Sequence, residues 1–241
     1  MHARRRAATI DVMALHKEFL PDPLPGEPLA LVADWLREAT RAQVQPNPNA
    51  MVLATVDAHG APSARVVLCK EIRPDAGTVT FFTNYLSRKG TDLAANARAA
   101  VVMHWDALRR QVRLEGRVTP TTAAESDAYF ASRAWQSRIG AWASEQSAPI
   151  TSRAELLRAT DAAARRFGTP SPAASDDAAP DPGVVIARPP HWGGYHLWVS
   201  AVELWVEGAA RLHDRARWTC TLEPDGGGFR AGAWSATRLQ P

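Results

Sequence analysis

Residues 110–118 alternate between polar and apolar side chains. The apolar set consists of Val112, Leu114, Gly116 and Val118, and the polar set consists of Gln111, Arg113, Glu115 and Arg117. Successive side chains of a β-strand point to opposite faces, so this period of two predicts a strand with one buried face and one face in water. Strands of this kind belong to antiparallel sheets, which makes the segment the strongest constraint on the fold.

Strands outnumber helices in the rest of the chain. Runs of apolar and β-branched residues bounded by turn residues predict further strands at 51–57, 65–71, 78–84, 99–106, 195–207, 215–223 and 229–234. Helices are predicted at 29–43, 87–97 and 122–137, and capping boxes begin helices at Thr122 and Ser152. Because most strands follow one another without a helix between them, a parallel doubly wound sheet is excluded. The predicted fold is mainly β with helices (α+β), an antiparallel barrel with helices packed around it.

The chain is expected to form a single domain. Residues 1–28 contain four prolines and are predicted to be an irregular N-terminal arm, whereas residues 29–241 form the folded domain. Residues 168–190 are rich in proline and alanine, which predicts an exposed loop. The roughly 50 residues after that loop would be marginal as a separate domain, so we expect them to complete the same barrel.

Composition argues against several classes of protein. No apolar run approaches the roughly 18 residues of a membrane helix, and none follows the arginines at 4–6, so neither a membrane protein nor a secreted one is expected. Cys69 and Cys220 are too few for a disulfide framework, and no Cys/His spacing indicates a metal, so we expect a reduced, cytoplasmic protein. The net charge of +3 is scattered along the chain, which argues against nucleic-acid binding.

Three side chains of the predicted helix at 122–137 form a candidate anion site. Tyr129, Arg133 and Ser137 are spaced four residues apart, which places them on one face of a continuous helix. A phenol, a guanidinium and a hydroxyl supply the donors that a phosphate monoester requires. A solvated helix face is the alternative interpretation of the same spacing.

Two cationic segments are further candidates. Arg65 and Lys70 lie five positions apart, so in a regular strand their side chains point to opposite faces. The two cations could bind two different anions or one anion at the end of the strand, or they could simply reach water. Arg88 and Lys89 follow Ser87 in the first turn of a predicted helix, where cations oppose the helix dipole unless an anion is bound. Lys70 and Lys89 are two of three lysines in a chain with 25 arginines, which hints at a particular use.

The segment at 211–215, Arg-Leu-His-Asp-Arg, concentrates charge after a tryptophan-rich strand. In an extended backbone Arg211, His213 and Arg215 would project on one side, either as a salt-bridge cluster or as a site that handles a proton or a hydride. The chain also has nine tryptophans and lacks the glycine-rich motifs that bind nucleotides. Together these features indicate two phosphorylated ring compounds as ligands.

A series of short strings carries a family resemblance. They lie at 49–57, 65–70, 81–89, 110–113, 129–133, 137–142, 146–147, 192–195, 203–205, 211–215 and 238–241. Because the strings occur in this order, the chain resembles the pyridoxamine 5'-phosphate oxidase family from about residue 29 to its end. The resemblance implies a homodimer of FMN-binding split β-barrels with the flavin at the subunit interface. It also implies oxidation of pyridoxamine or pyridoxine 5'-phosphate by dioxygen to pyridoxal 5'-phosphate, with release of hydrogen peroxide and, from the amine, ammonia.

The resemblance assigns roles to residues of this chain. FMN would be bound from one subunit by Arg65, Val66, Val67, Leu68, Lys70, Phe82, Thr83, Arg88, Lys89 and Gln111, and from the other by Gln146, Ser147, Trp205 and Arg215. The substrate phosphate would be held by Lys70, Tyr129, Arg133 and Ser137. The substrate ring would be contacted by Arg211, Leu212 and His213, with Arg211 and His213 as the catalytic residues.

The chain departs from the family pattern at a few positions. Ala134 and Trp135 replace a usual proline, and Arg138 replaces a frequent glutamine. Alanines follow the arginines at 4–6, and no tyrosine precedes Tyr85. These departures bear on substrate choice. The alternatives are therefore a related FMN oxidase for another aromatic substrate, of the phenazine-pathway type, or a non-catalytic protein that binds FMN or pyridoxal phosphate.

Overall fold

The main sheet of the computed structural model is antiparallel in the part of the chain that it describes, residues 19–172, 181 and 183–241. The strands are β1 (Ala50–Val56), β2 (Pro62–Leu68), β3 (Glu71–Arg73), β4 (Thr78–Asn84), β5 (Arg98–Trp105), β6 (Arg110–Pro120), β7 (Trp192–Val206), β8 (Asp214–Thr219), β9 (Leu222–Asp225), β10 (Gly228–Ala231) and β11 (Ser235–Leu239). Nine of them form one sheet in the order β11-β8-β7-β6-β5-β1-β2, with β4 paired to both β7 and β3, while β9 and β10 form a separate hairpin.

Strand β7 organises the sheet because three strands pair with it. One edge of β7 is followed by β6, and the other edge is divided between β4, which pairs with residues 192–198, and β8, which pairs with residues 201–206. The register between β6 and β7 shifts between Glu115 and Gly116, and such a bulge increases the local bend of a strand. The sheet curls into a half-barrel, which confirms the predicted α+β class and the antiparallel barrel.

In the described part of the chain, five α-helices pack around the sheet. They are α1 (Leu29–Ala42), α2 (Arg88–Ala95), α3 (Ala123–Ala131), α4 (Trp135–Ala143) and α5 (Arg153–Phe167). The predicted capping box at Thr122 and Glu125 is present at the start of α3. Ser152 also accepts from the Glu155 backbone N–H at the start of α5, but the Glu155 carboxylate bonds Thr151 instead of returning to the cap.

Two apolar clusters hold these elements together. The larger cluster lies inside the half-barrel and includes Met51, Leu53 and Leu114 from alternate positions of their strands, covered by Val32 and Trp35 of α1. The smaller cluster joins α3, α4 and α5 to the start of β7 and contains Phe130, Trp135, Ile139, Ala163, Ala164, Ile186 and Trp192. The smaller cluster anchors α3, which carries Tyr129, and α4, which carries Ser137, against the start of β7 at Trp192.

The C-terminal region differs from the sequence prediction in several strands. The strand predicted at 215–223 is divided into β8 and β9, which belong to different sheets. The predicted turn at 225–228 is confirmed, and Gly226 and Gly227 adopt the positive φ that such a turn requires. The strand predicted at 229–234 is instead the shorter β10, and β11 was missed. Four of the five residues of β11 are exposed and it pairs only with β8, so its sequence carries no apolar alternation.

The segment predicted as an exposed loop is described apart from residues 173–180 and 182. Ile186 within it is buried in the smaller cluster, and the backbone carbonyl of Ala187 accepts a hydrogen bond from the Trp142 indole at 2.7 Å. The predicted N-terminal arm lies outside the described residues as far as residue 18. Among the helices of the described residues, none combines the length and apolar composition that a membrane crossing requires.

Candidate active site

A cavity of about 650 Å³ is lined by residues of β2, β4, α3, α4 and the start of β7. It brings together eleven residues that the sequence analysis singled out. These are Val66, Val67, Leu68, Lys70, Phe82, Thr83, Lys89, Tyr129, Arg133, Ser137 and Gln146. Residues expected to hold a cofactor and residues expected to hold a substrate phosphate therefore share one cavity.

Lys70, Tyr129, Arg133 and Ser137, here called the Arg133 cluster, line this cavity together. The Lys70 ammonium lies 5.6 Å from the centre of the Tyr129 ring. The Arg133 Nη1 atom is buried and makes no hydrogen bond, and no carboxylate among the described residues pairs with the guanidinium. Burial lowers the pKa of Arg133 below its ordinary value, so the group is a desolvated cation that an anionic ligand would stabilise.

The prediction that one continuous helix carries Tyr129, Arg133 and Ser137 is wrong. Helix α3 ends at Ala131 and α4 begins at Trp135, with Ala134 extended between them (φ −51°, ψ 139°). The Ser132 hydroxyl donates to the Tyr129 carbonyl at 2.8 Å, a local bond that competes with continued helix. Tyr129 and Ser137 thus lie on two helices with Arg133 in the connection, and their convergence on the cavity comes from the break.

Lys89, Gln146, Arg65 and Arg88, here called the Lys89 cluster, form a second cationic group. The Lys89 Nζ donates to Ser87 Oγ at 2.9 Å and to Gln146 Oε1 at 2.8 Å, and no carboxylate among the described residues pairs with it. Burial, and secondarily the charge of Arg65, lowers the pKa of Lys89 to about 8. Ser87 precedes α2 as predicted, but its hydroxyl donates to the Asn84 carbonyl and does not cap the helix.

The regular strand that was predicted to carry both Arg65 and Lys70 is wrong, because β2 ends at Leu68 and Lys70 lies outside it. Lys70 lines the cavity, whereas the Arg65 guanidinium donates to Thr55 Oγ1 at 2.6 Å and lies 3.6 Å from Asp92. Asp92 is the only described carboxylate paired with this group of three cations. Arg88 and Ser147 line a neighbouring cavity of about 560 Å³ that shares Gln146 with the first.

An aromatic wall accompanies the two clusters. Phe82 and Tyr129 are stacked with ring centres 4.0 Å apart, and the Trp192 ring lies nearly parallel to both, 5.7 Å from Phe82 and 6.1 Å from Tyr129. Gly194 permits this approach, because a Cβ at that position would lie 2.7 Å from the Phe82 ring. Flat ring surfaces beside uncompensated cations suit ligands that combine an aromatic ring with a phosphate.

The residues present fit FMN at the Lys89 cluster. A buried ammonium without a counter-ion, two nearby guanidinium groups and the start of α2 form a donor set for a phosphate. The Arg133 cluster is a second donor set, and no hydrogen bond or ion pair between described residues joins it to the first. One chain therefore offers separate places for two phosphates.

The segment 208–215 does not lie at this cavity. Its expected strand-like backbone is wrong: residues 209–211 form a 3₁₀ turn, Ala210 and Arg211 have positive φ (54° and 64°), and β8 begins only at Asp214. Arg211 and Leu212 are exposed, so Arg211, His213 and Arg215 do not form one strand face. Two consecutive left-handed non-glycine residues are costly, which is typical of a segment held for function.

His213 is oriented by two neighbours. The Gly208 backbone N–H donates to His213 Nδ1 at 3.2 Å, and the imidazole lies 4.7 Å from the Trp205 ring. Because Nδ1 accepts this bond, a neutral His213 carries its proton on Nε2. The ring is therefore arranged as a donor through Nε2.

Gln111, Trp205 and Arg215 form a row across β6, β7 and β8, next to His213. Arg215 Nη2 donates to Glu203 Oε1 at 2.7 Å, and Glu203 is shared with Arg113 and Arg217. Trp205 is 13 positions after Trp192 on the same strand, roughly 40 Å of chain at the usual rise per residue. The row and the 208–215 segment thus belong to the other end of β7.

Trp192 lines the cavity but received no role in the sequence analysis. It was visible only as part of the Trp-Gly-Gly-Tyr string at 192–195. Gln146 was expected to come from the partner subunit, yet it contacts Lys89 of its own chain. Neither placement has a signal in residue spacing, since each depends on how α4 and its following loop meet β4 and β7.

Comparison with known proteins gives matches over most of the chain. Residues 36–165 match the family model described as pyridoxamine 5'-phosphate oxidase, and residues 192–241 match the pyridoxine 5'-phosphate oxidase C-terminal dimerisation region, which supports a homodimer. A pyridoxine/pyridoxamine 5'-phosphate oxidase of Bordetella avium is 52% identical over 214 residues, covering 89% of each chain. One of Paracoccus denitrificans is 45% identical, covering 89% of this chain and 95% of the relative.

Solved structures are similar as well. PhzG from Burkholderia lata, in complex with tetrahydrophenazine-1-carboxylic acid, aligns with a TM-score of 0.76 and 29% identity, covering 94% of this chain and 99% of that one. An FMN-binding protein of Nostoc punctiforme related to pyridoxamine 5'-phosphate oxidase aligns with a TM-score of 0.62 and 18% identity, covering 88% and 96%. The fold, the matched models and the identities agree that the chain belongs to the pyridoxamine 5'-phosphate oxidase family, whose cofactor is FMN.

Proposed function

We propose that this protein oxidises pyridoxamine 5'-phosphate and pyridoxine 5'-phosphate to pyridoxal 5'-phosphate with bound FMN and dioxygen, in the cytoplasm, as a step of vitamin B6 metabolism. The observation that carries the proposal is the pair of cationic clusters at one cavity, which the Arg133 cluster lines and which the Lys89 cluster reaches through Lys89 and Gln146. Among the described residues, Asp92 is the only carboxylate paired with either cluster. FMN has one phosphate, so a second uncompensated cluster indicates a second phosphorylated ligand.

The Lys89 cluster would hold the FMN phosphate. Lys89, Arg65 and Arg88 supply the charge, and Gln146 and Ser147 follow α4 at the same place. Val66, Val67, Leu68, Phe82 and Thr83 would line the flavin. Gln111, Trp205 and Arg215, which lie together at the other end of β7, would reach the flavin from the partner subunit. When bound, FMN accepts a hydride from the C4' carbon of the substrate and returns the two electrons to dioxygen, which with two protons gives hydrogen peroxide.

The Arg133 cluster would hold the substrate. Arg133 and Lys70 supply charge, and the Tyr129 and Ser137 hydroxyls supply donors whose positions are fixed by two helices. Anchoring the phosphate at a fixed distance from the flavin restricts the substrate ring to a reactive orientation, which is the main contribution a protein makes to such a reaction. With the amine substrate, water hydrolyses the oxidised C4'–nitrogen bond and releases ammonia.

The partner subunit would supply Arg211, Leu212 and His213. These residues lie at the end of β7 away from the cavity of their own chain, so a dimer is needed to bring them to a substrate. The match of residues 192–241 to a dimerisation region supports this arrangement. His213 Nε2–H would donate to the substrate ring and Arg211 would cover it, which limits the access of water to the reacting carbon.

A mixture of two impaired variants tests whether the active site is shared between subunits. Arg133→Ala removes a residue of the cavity, and His213→Ala removes a residue at the other end of β7, so each homodimer should be impaired. Mixed dimers contain one site with both residues intact, so after unfolding and refolding together we expect up to about a quarter of the wild-type activity. If mixtures never exceed the two separate variants, the two groups act within one chain.

A second candidate function is oxidation of a tricyclic carboxylic acid, because PhzG in complex with tetrahydrophenazine-1-carboxylic acid is structurally similar. A carboxylate would also satisfy Arg133. The presence of Lys70, Tyr129, Arg133 and Ser137 together favours a phosphate, which offers more acceptor oxygens and more charge than a carboxylate. A third possibility is a protein that binds FMN without catalysis. Such a protein would not need Arg211 and His213, so their presence argues against it.

Anaerobic mixing of the FMN-loaded protein with pyridoxine 5'-phosphate tests the proposal. We expect the flavin absorbance near 450 nm to bleach and to recover when air is admitted. The same experiment with tetrahydrophenazine-1-carboxylic acid should leave the flavin oxidised. Bleaching by the tricyclic acid alone would establish the second candidate instead, and a flavin that stays oxidised with both would contradict both.

A further inference from the structure

Within the part of the chain that the structure describes, the Arg133 side chain contacts aromatic faces and has no hydrogen-bond partner. Its guanidinium carbon lies 4.6 Å from the centre of the Trp192 ring and 5.5 Å from that of Phe130. Its Nη1 atom is buried without a hydrogen-bond partner. An arginine has many rotamers, so something other than hydrogen bonds must keep this side chain in the cavity.

Trp192 is itself fixed through a chain of polar contacts. Arg188 Nη1 donates to the Trp192 carbonyl at 2.6 Å, and Arg188 Nε donates to Asp127 Oδ1 of α3 at 2.6 Å. The Trp192 backbone N–H donates to the Pro189 carbonyl at 3.1 Å. These bonds tie the Trp192 backbone to α3, and the indole itself packs against the Tyr129 and Phe130 rings of the same helix. The ring under Arg133 and the Tyr129 donor therefore form one unit.

We propose that Trp192 is a positioning residue that holds Arg133 for the substrate phosphate and thereby sets the preference for phosphorylated over unphosphorylated substrates. The proposal rests on the proposed function and concerns the same site. A cation over the face of an indole in a desolvated place is a favourable interaction that leaves the guanidinium N–H groups free. The free donors can then bind a phosphate without first breaking a bond within the protein.

The chain offers a matched control for this arrangement. Arg166 of α5 lies 4.3 Å from the centre of the Trp142 ring, the same kind of arginine–tryptophan pair, and Arg166 lines neither of the two cavities. Removing the Arg166 guanidinium therefore tests the loss of such a pair as a structural feature alone. The variants are Trp192→Leu, Trp192→Phe and, as the control, Arg166→Leu. Trp192→Met replaces Trp192→Leu if that variant does not fold.

The readouts use FMN-loaded protein, so that the cofactor occupies its own phosphate site. Binding of inorganic phosphate is measured by calorimetry, and KM and kcat are measured with pyridoxine 5'-phosphate and with unphosphorylated pyridoxine. We expect Trp192→Leu to weaken phosphate binding about tenfold, while Trp192→Phe, which keeps a ring face, changes it by less than about threefold. Arg166→Leu should leave phosphate binding unchanged, and in Trp192→Leu the KM for pyridoxine should not change.

A double-mutant cycle shows whether Trp192 acts through Arg133. If it does, adding Trp192→Leu to Arg133→Ala causes no further loss of phosphate binding. Additive losses of phosphate binding would overturn the proposal, and so would unchanged phosphate binding in Trp192→Leu. An equal rise of KM for both substrates would also overturn it, because that result would mean that the indole contacts the substrate ring. The calorimetric measurement requires no turnover, so it gives an answer even if the proposed oxidase activity is absent.

Discussion

The Lys89 cluster and the Arg133 cluster carry charge of the same sign but hold it in different ways. Lys89 donates to Ser87 and Gln146, and Asp92 partly balances the arginine beside it. Among the described residues, the Arg133 side chain has ring faces as partners, and its Nη1 atom makes no hydrogen bond. The Lys89 cluster thus holds three cations in positions fixed by polar contacts, whereas the Arg133 cluster holds two cations. The larger, preorganised charge suits a resident cofactor at the Lys89 cluster, and the smaller charge suits an exchanging substrate at the Arg133 cluster.

Arg133→Ala should show the largest effect. It removes a charge-assisted contact worth roughly 1.5–3 kcal/mol, so we expect KM for pyridoxine 5'-phosphate to rise by about 10- to 100-fold. FMN affinity should change little, because Arg133 has no contact with the Lys89 cluster. Steady-state kinetics and flavin titration measure the two quantities, and Arg166→Ala is the control. Loss of FMN in Arg133→Ala would mean that the two clusters have been assigned to the wrong ligands.

Lys89→Met should produce the converse result. The variant lacks one cation of the FMN site while Arg65 and Arg88 remain, so we expect FMN to bind roughly tenfold more weakly. Fluorescence titration of the apoprotein with FMN measures the affinity. With FMN added to saturation, KM for the phosphorylated substrate should match the wild type. A raised KM at saturating FMN would show that Lys89 contacts the substrate.

FMN binding should depend on pH through Lys89. Burial lowers the pKa of this ammonium from its ordinary 10.5 to about 8, so the apoprotein loses the charge as pH rises through 8. Only the ammonium attracts the phosphate, and we expect FMN affinity to fall by up to about tenfold between pH 7 and pH 9. Lys89→Arg keeps its charge in this range and should be nearly flat. An equal fall in Lys89→Arg would assign the titration to another group.

Gln146→Leu should have the smallest effect. It removes the 2.8 Å contact with Lys89 but no charge, which corresponds to about 0.5–1.5 kcal/mol and a few-fold weaker FMN binding. Thr83, whose hydroxyl lies 3.4 Å from Gln146 Oε1, would lose that contact as well. A loss as large as that of Lys89→Met would show that Gln146 binds FMN directly.

The sequence predicts the two clusters with different success. Arg88 and Lys89 after Ser87 signal an anion because cations in a first helical turn are unfavourable alone. Their position in the first turn of α2 is confirmed, and the bound anion stays a prediction. The convergence of Tyr129, Arg133 and Ser137 was predicted from helical spacing, yet the helix breaks at residues 132–134 and the side chains share the cavity for another reason. Their convergence was thus predicted from an incorrect local structure.

Long-range packing explains what spacing does not reveal. Trp192 reaches Arg133 because β7 pairs with β4 and because the smaller apolar cluster fixes α3 and α4 against its start. The strand-like geometry expected for 211–215 fails because two residues adopt left-handed conformations, which their side chains do not signal. The alternation of polar and apolar residues at 110–118, in contrast, depends on one strand alone. The strand predicted from it is confirmed as β6.

A crystal structure of the protein with FMN and pyridoxal 5'-phosphate would test the assignment of the two clusters most directly. We predict the FMN phosphate on Lys89, the pyridoxal phosphate group on Arg133, Tyr129 and Ser137, and the partner subunit's His213 at the pyridoxal ring. An FMN phosphate bound to Arg133, or a pyridoxal phosphate bound outside the cavity, would contradict the division of the cavity between cofactor and substrate.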